Sequence, residues 1–183
     1  LVGGLNTRYG AGLDVGSRGS GIFFNYLHGN NKKNFDFIGE VRYFDIKGET
    51  ESIVYDNWTN QYITISGQNL LFIPVLVVFN YHPFAGEIAN NFSPFVQLKG
   101  GPLLAIDGNE SYRKFNSRWR KAPTFTSYGA QLVIGVSFLQ MGGSSISPSI
   151  GFEFLPMGRT VDDKKRYDGT TINITWTFAN SRR

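Results

Sequence analysis

Charged side chains set into alternating stretches, and one basic segment rich in aromatics, are the places where this chain could do chemistry. Arg8, Asp14, Asp36, Glu40, Arg42, Lys99 and Glu153 each stand among residues that alternate between polar and apolar. Three cations against four anions would pair with one another if they shared an interior, because buried charges persist when they are paired. With water admitted among them, the same groups would form a polar track for protons or ions. The segment SYRKFNSRWRKAP, residues 111–123, sets Arg113, Lys114, Arg118, Arg120 and Lys121 between Tyr112, Phe115 and Trp119. Cations bind phosphates and rings stack, so this patch is an expected contact for an anionic surface or a protein partner. The plainer alternative is a solvated loop with an aromatic girdle at its base.

Catalysis has less to work with. His28 and His82 lie near predicted strand ends and outside any recognisable motif, and nothing in the surrounding sequence singles out a serine such as Ser20 or Ser93. A serine hydrolase is recognised by geometry, so the sequence leads to an expectation of no catalytic residue. No cofactor or metal is expected either. The chain has no cysteine, which removes disulfides, thiolate metal sites and thiol nucleophiles. Adjacent Asp162 and Asp163 lack the further ligand spacing of a divalent-cation loop. Gly10, Gly12 and Gly16 have the wrong spacing for a dinucleotide fingerprint, and no helix follows them. The net charge of +4 suits anionic headgroups or nucleic acid and compels neither; nucleic acid is not expected as a partner.

The elements that would position these residues are strands. A chain of 183 residues makes one domain, 1–183, and 15% aromatic with 17% charged residues and 22 glycines leans toward strands and tight turns. The most apolar run, residues 70–79 (LLFIPVLVVF), is half the length of a membrane-spanning helix and holds Pro74 at its centre. A tilted strand of membrane-spanning length fits it. In the first clear alternation, Leu5, Thr7, Tyr9, Ala11, Leu13 and Val15 oppose Asn6, Arg8, Gly10, Gly12 and Asp14. Near the end, Ile172, Ile174, Trp176 and Phe178 oppose Thr171, Asn173, Thr175 and Thr177. Residues 35–44 and 125–140 alternate as well, except that Ile38, Phe44 and Val133 fall on the polar face. Weaker candidates at 20–28, 62–81, 94–106 and 145–156 bring the strands to eight. The connectors then run 16–19, 28–34, 48–60, 82–93, 108–124, 140–144 and 157–170.

The expected fold is all-β: an eight-stranded antiparallel up-and-down transmembrane barrel whose lumen is filled by its own side chains. Phe23, Leu27, Leu70, Phe72, Leu76 and Val78 would also point inward, where they either pack one end of the lumen or line a pocket for an acyl chain. Periodicity alone does not separate inside from outside. A soluble, lipocalin-like carrier with the faces exchanged would show the same alternation.

The layout resembles the small outer-membrane β-barrel domain families of Gram-negative bacteria. LFIPVLVVFNYHPF followed by FSPFVQLKGGPLLAI is similar to their paired central strands, and NITWTF to their C-terminal assembly signal, although five residues follow Phe178 here. The resemblance implies an outer-membrane location and contact with membrane lipid, lipopolysaccharide or other envelope proteins, and an even strand number, with the last strand ending where the first begins, would place both termini in the periplasm. It also implies a role among scaffolds and accessory subunits, small-solute or ion channels, or lipid-modifying enzymes. The non-enzymatic scaffold or subunit is the leading expectation.

Overall fold

The computed structural model describes residues 6–29, 34–47, 52–57, 60–65, 69–84, 91–108, 122–140, 143–161 and 164–179. Every regular element among them is a strand: β1 (Asn6–Gly16), β2 (Gly19–Gly29), β3 (Phe35–Lys47), β4 (Ser52–Asp56), β5 (Gln61–Ile65), β6 (Asn69–Tyr81), β7 (Phe92–Asp107), β8 (Thr124–Leu139), β9 (Ser145–Phe154), β10 (Pro156–Val161), β11 (Lys164–Arg166) and β12 (Gly169–Ala179). Eight of them close into a barrel in the order β1-β12-β9-β8-β7-β6-β3-β2, each antiparallel to its neighbours. Closure leaves the barrel itself without an open edge.

Two expectations need correction. The segment 62–81 is not one strand, because its first residues belong to β5, which pairs with β4 in a separate hairpin. The 48–60 and 157–170 connectors are likewise not plain loops; β10 and β11 form a second small hairpin within the latter. The β4–β5 turn passes through Asn60, whose φ of 57° is one that Asn tolerates better than most residues. The Tyr55 hydroxyl, 2.5 Å from Asn60 Oδ1, steadies it.

Register gives the barrel two distinct ends. Arg8 of β1 pairs with Ala179 of β12, so β1 begins where β12 finishes; this is called the terminal end. At the opposite, hairpin end, β1 turns into β2 through Ser17 and Arg18 alone, and both small hairpins emerge there. Gly19 makes that turn possible. Its φ is +155°, and a Cβ on it would collide with the Asp45 carbonyl oxygen.

Alternation resolves into an apolar outside and a mixed inside. Phe24, Val77, Leu98, Leu132 and Ile172 are each more than half exposed on the outer face, whereas Asp14, Glu40, Arg42 and Lys99 are at most 3% exposed within. The exchanged arrangement of a soluble carrier is therefore not the one adopted. Aromatic pairs gather on the outer face toward the terminal end, with Tyr9 against Tyr26 and Phe37 against Phe79, both at 5.5 Å between centroids. Ile38, Phe44 and Val133, the exceptions to the alternation, are buried inside.

Candidate functional site

The interior is layered along the barrel axis. At the hairpin end, Phe44, Ile46, Leu70, Phe72, Leu103 and Tyr167 belong to one buried apolar cluster, with the rings of Phe72 and Tyr167 edge to face at 5.3 Å. Leu70 and Phe72 thus pack that end. Leu76 and Val78 are buried further along β6, and Leu27 is half-buried at the other end of the lumen.

Next to this plug lies an ionic layer. Arg42 of β3 places Nε 2.5 Å from Glu40 Oε1, and its Nη1 lies 2.5 Å from Asp14 Oδ2 and 3.1 Å from Glu153 Oε1. Lys99 of β7 donates from Nζ to both Glu40 oxygens, at 3.0 and 3.1 Å. Arg18 reaches in from the β1–β2 turn to Glu153, and the Thr171 hydroxyl donates to Asp14. Phe23 presents its ring to both buried cations, 4.9 Å from the Arg42 guanidinium carbon and 5.5 Å from Lys99 Nζ. Desolvating these charges costs several kcal/mol per ion, by order of magnitude, and the multiple short pairs offset it. The layer balances as three cations (Arg18, Arg42, Lys99) against three anions (Asp14, Glu40, Glu153).

The remaining predicted lumen residues, Arg8 and Asp36, lie nearer the terminal end. They line a polar cavity of about 80 Å³ that also borders Glu40 and Lys99. His82, just past β6, stands at its rim, with Nε2 3.9 Å from Asp36 Oδ2 and 2.8 Å from Asn80 Nδ2, and Nδ1 2.9 Å from Ser93 Oγ. A serine, a histidine and an acid thus meet. Asp36 is nonetheless beyond hydrogen-bond distance of Nε2, so it does not orient the ring toward Ser93.

Arg18 was not among the expected lumen charges, because it sits in a two-residue turn where the period-two test assigns no face. Its pairing with Glu153 was not legible in the sequence. With Arg18 included, four cations (Arg8, Arg18, Arg42, Lys99) meet the four anions Asp14, Asp36, Glu40 and Glu153. The expected contact patch of Tyr112, Arg113, Lys114, Arg118, Trp119, Arg120 and Lys121 lies outside the described residues, as do Asp162 and Asp163.

No protein-family model matches the sequence, and neither does any curated protein. Among solved structures, Neisserial surface protein A is similar, with a TM-score of 0.63 and 10% identity over 95% of this chain and 96% of that one. The attachment invasion locus protein Ail of Yersinia pestis superposes with a TM-score of 0.49 and 14% identity over 94% of this chain and 97% of its own. The N-terminal β-barrel domain of Pseudomonas aeruginosa OprF gives 0.48 and 10% over 94% and 97%. The chain has the fold of the small eight-stranded outer-membrane β-barrels.

Proposed function

We propose that this chain is a non-enzymatic protein of the bacterial outer membrane, a closed barrel that serves as an envelope scaffold or as an accessory subunit of a larger complex. Both termini face the periplasm in this reading, and the hairpin end faces outward. The β7–β8 connection departs from the hairpin end and carries the basic and aromatic residues 112–121, offered there to lipopolysaccharide phosphates or to a protein partner.

The supporting observation is the layering of the interior. A neutral ionic layer and an apolar plug stand in series across the lumen, an arrangement suited to a solid body more than to a conduit. The apolar outer face supplies the surface that lipid would cover. Conductance of the purified protein in planar bilayers tests the reading. The expected result is the absence of reproducible unitary currents; steady single-channel steps would replace the scaffold with a pore.

A further inference from the structure

We propose that the polar cavity at the terminal end of the barrel is a binding site for a neutral sugar ring. This goes beyond the scaffold role and does not depend on it.

The cavity is more than the fold demands. Eight strands enclose a space that side chains ordinarily fill, and at the hairpin end Phe44, Phe72 and Leu103 do so. Toward the terminal end, three neighbouring strands instead line the space with short hydroxyls: Ser137 on β8, Ser145, Ser147 and Ser149 on β9, and Thr175 and Thr177 on β12. The resulting cavity of about 80 Å³ holds roughly three waters at about 30 Å³ each, enough to take one edge of a sugar ring while the rest of the ring stands at the open rim.

The facing wall is of a different kind. Asn25, Asn80 and Gln97 contribute amides, and Leu27, Ile38 and Phe95 add apolar surface at separate points of the lining. Asn80 is only 5% exposed and its Oδ1 has no hydrogen-bond partner, an acceptor in the cavity lining left for something else to satisfy. At the floor Glu40 and Lys99 are engaged with each other, and at the rim Asp36 stands beside His82 and near Arg8. Each carboxylate therefore has a cation near it, and no unbalanced charge remains to select an ion.

These features fit a neutral polyhydroxylated solute. A sugar hydroxyl both donates and accepts, and Ser, Thr, Asn and Gln side chains reciprocate in both senses. The C–H groups of the ring have Leu27, Ile38 and Phe95 in the lining to meet them, the usual mix of apolar surface and few polar groups in a small-molecule site. With the ionic layer as its floor, the cavity is blind, so it would hold a solute and not pass it.

The test is ligand-observed NMR on the full chain refolded in detergent micelles, with glucose and N-acetylglucosamine as probes, inorganic phosphate as the ionic control and empty micelles as the blank. Saturation transfer to either sugar but not to phosphate is expected. Thr175→Val removes one hydroxyl at nearly constant volume and should weaken binding about five- to tenfold. Ser149→Leu fills the space and should abolish binding while heat-modifiable gel mobility is retained; if that variant does not fold, Thr175→Val decides alone. Absence of any sugar signal from the wild type, unchanged binding by the variants, or binding of phosphate in preference to sugar would each overturn the proposal.

Discussion

Replacing Arg42 with Met isolates what the ionic layer contributes. Met keeps most of the side-chain volume and can still pack its sulfur against the Phe23 ring, so the change is chiefly the loss of charge. In the native protein Arg42 is 2% exposed and pairs with Glu40, Asp14 and Glu153. Without it, Glu40 keeps Lys99 and Glu153 keeps Arg18, but Asp14 is left with the Thr171 hydroxyl as its only partner in the layer. The charge of the layer falls from zero to minus one. Breaking a buried pair from one side costs about 3–5 kcal/mol. With a urea dependence of about 2 kcal/mol per M, the unfolding midpoint should drop by about 1.5–2.5 M. The assay is urea unfolding of the refolded barrel, followed by tryptophan fluorescence and gel mobility. Adding Asp14→Asn to Arg42→Met should restore part of the loss, with a coupling of at least about 1 kcal/mol in the double-mutant cycle. A midpoint shift below about 0.5 M, or strictly additive mutations, would show that the layer is hydrated and its charges energetically independent.

Leu132, 54% exposed midway along β8, should lose about 2–4 kcal/mol when changed to Arg if its face meets the centre of a bilayer. The same unfolding assay in lipid vesicles reads this, and a change near zero would mean that water, not lipid, covers that face. His82 gives a dependence on pH: burial is the main cause holding it below its ordinary value of 6.5, while Asp36 acts in the opposite sense and Arg8 reinforces the lowering. The unfolded chain therefore takes up this proton first, so the contribution of His82 to stability is intact above about pH 6.5 and declines as pH falls below it. Unfolding midpoints measured from about pH 7 down to about pH 5 should show that decline, and His82→Gln should flatten it; an unchanged slope in the variant would assign the decline to other groups.

How much of this was readable in the sequence depends on the kind of regularity involved. Alternation is local, so the two faces of β1, β8 and β12 could be read directly, and even Ile38 and Val133 only blurred a pattern that their neighbours carried. Which inward residues meet is not local. It depends on strand tilt and stagger, which bring Arg42 to Asp14 across 28 positions and Lys99 to Glu40 across 59. The sequence therefore supported a polar interior without its layers, and it gave no hint that the hydroxyls of β8, β9 and β12 would enclose a common space. The β4–β5 hairpin was missed for a different reason. Its strands are five residues each, too short for alternation to stand out, and the signal that did exist was the Asn60 turn between two runs rich in β-branched residues.

The geometry of the ionic layer bears on what a barrel of this kind can hold in place. Hydrogen bonds of the sheet tie each strand only to its neighbours, so a barrel wall is free to flatten unless something crosses its interior. In the closed order, β3 and β9 are separated by four steps in either direction and stand diametrically opposite, and the Arg42–Glu153 contact joins them. The Arg42–Asp14 and Lys99–Glu40 contacts tie β3 to β1 and to β7 as well. Arg18 fastens the β1–β2 turn to β9 at the hairpin end. The cross-section is thus strutted from several directions near the end from which the long connections depart. Loops that are to meet a partner in a fixed arrangement need such a base, since ordering them from a compliant frame would cost binding energy. A conduit, by contrast, would need these contacts to be released. The same struts therefore favour the scaffold over the channel, and they make Arg42 the residue at which the two readings part: its replacement should soften the frame and weaken loop-borne contacts if the barrel is a scaffold, and raise conductance if it is a closed pore.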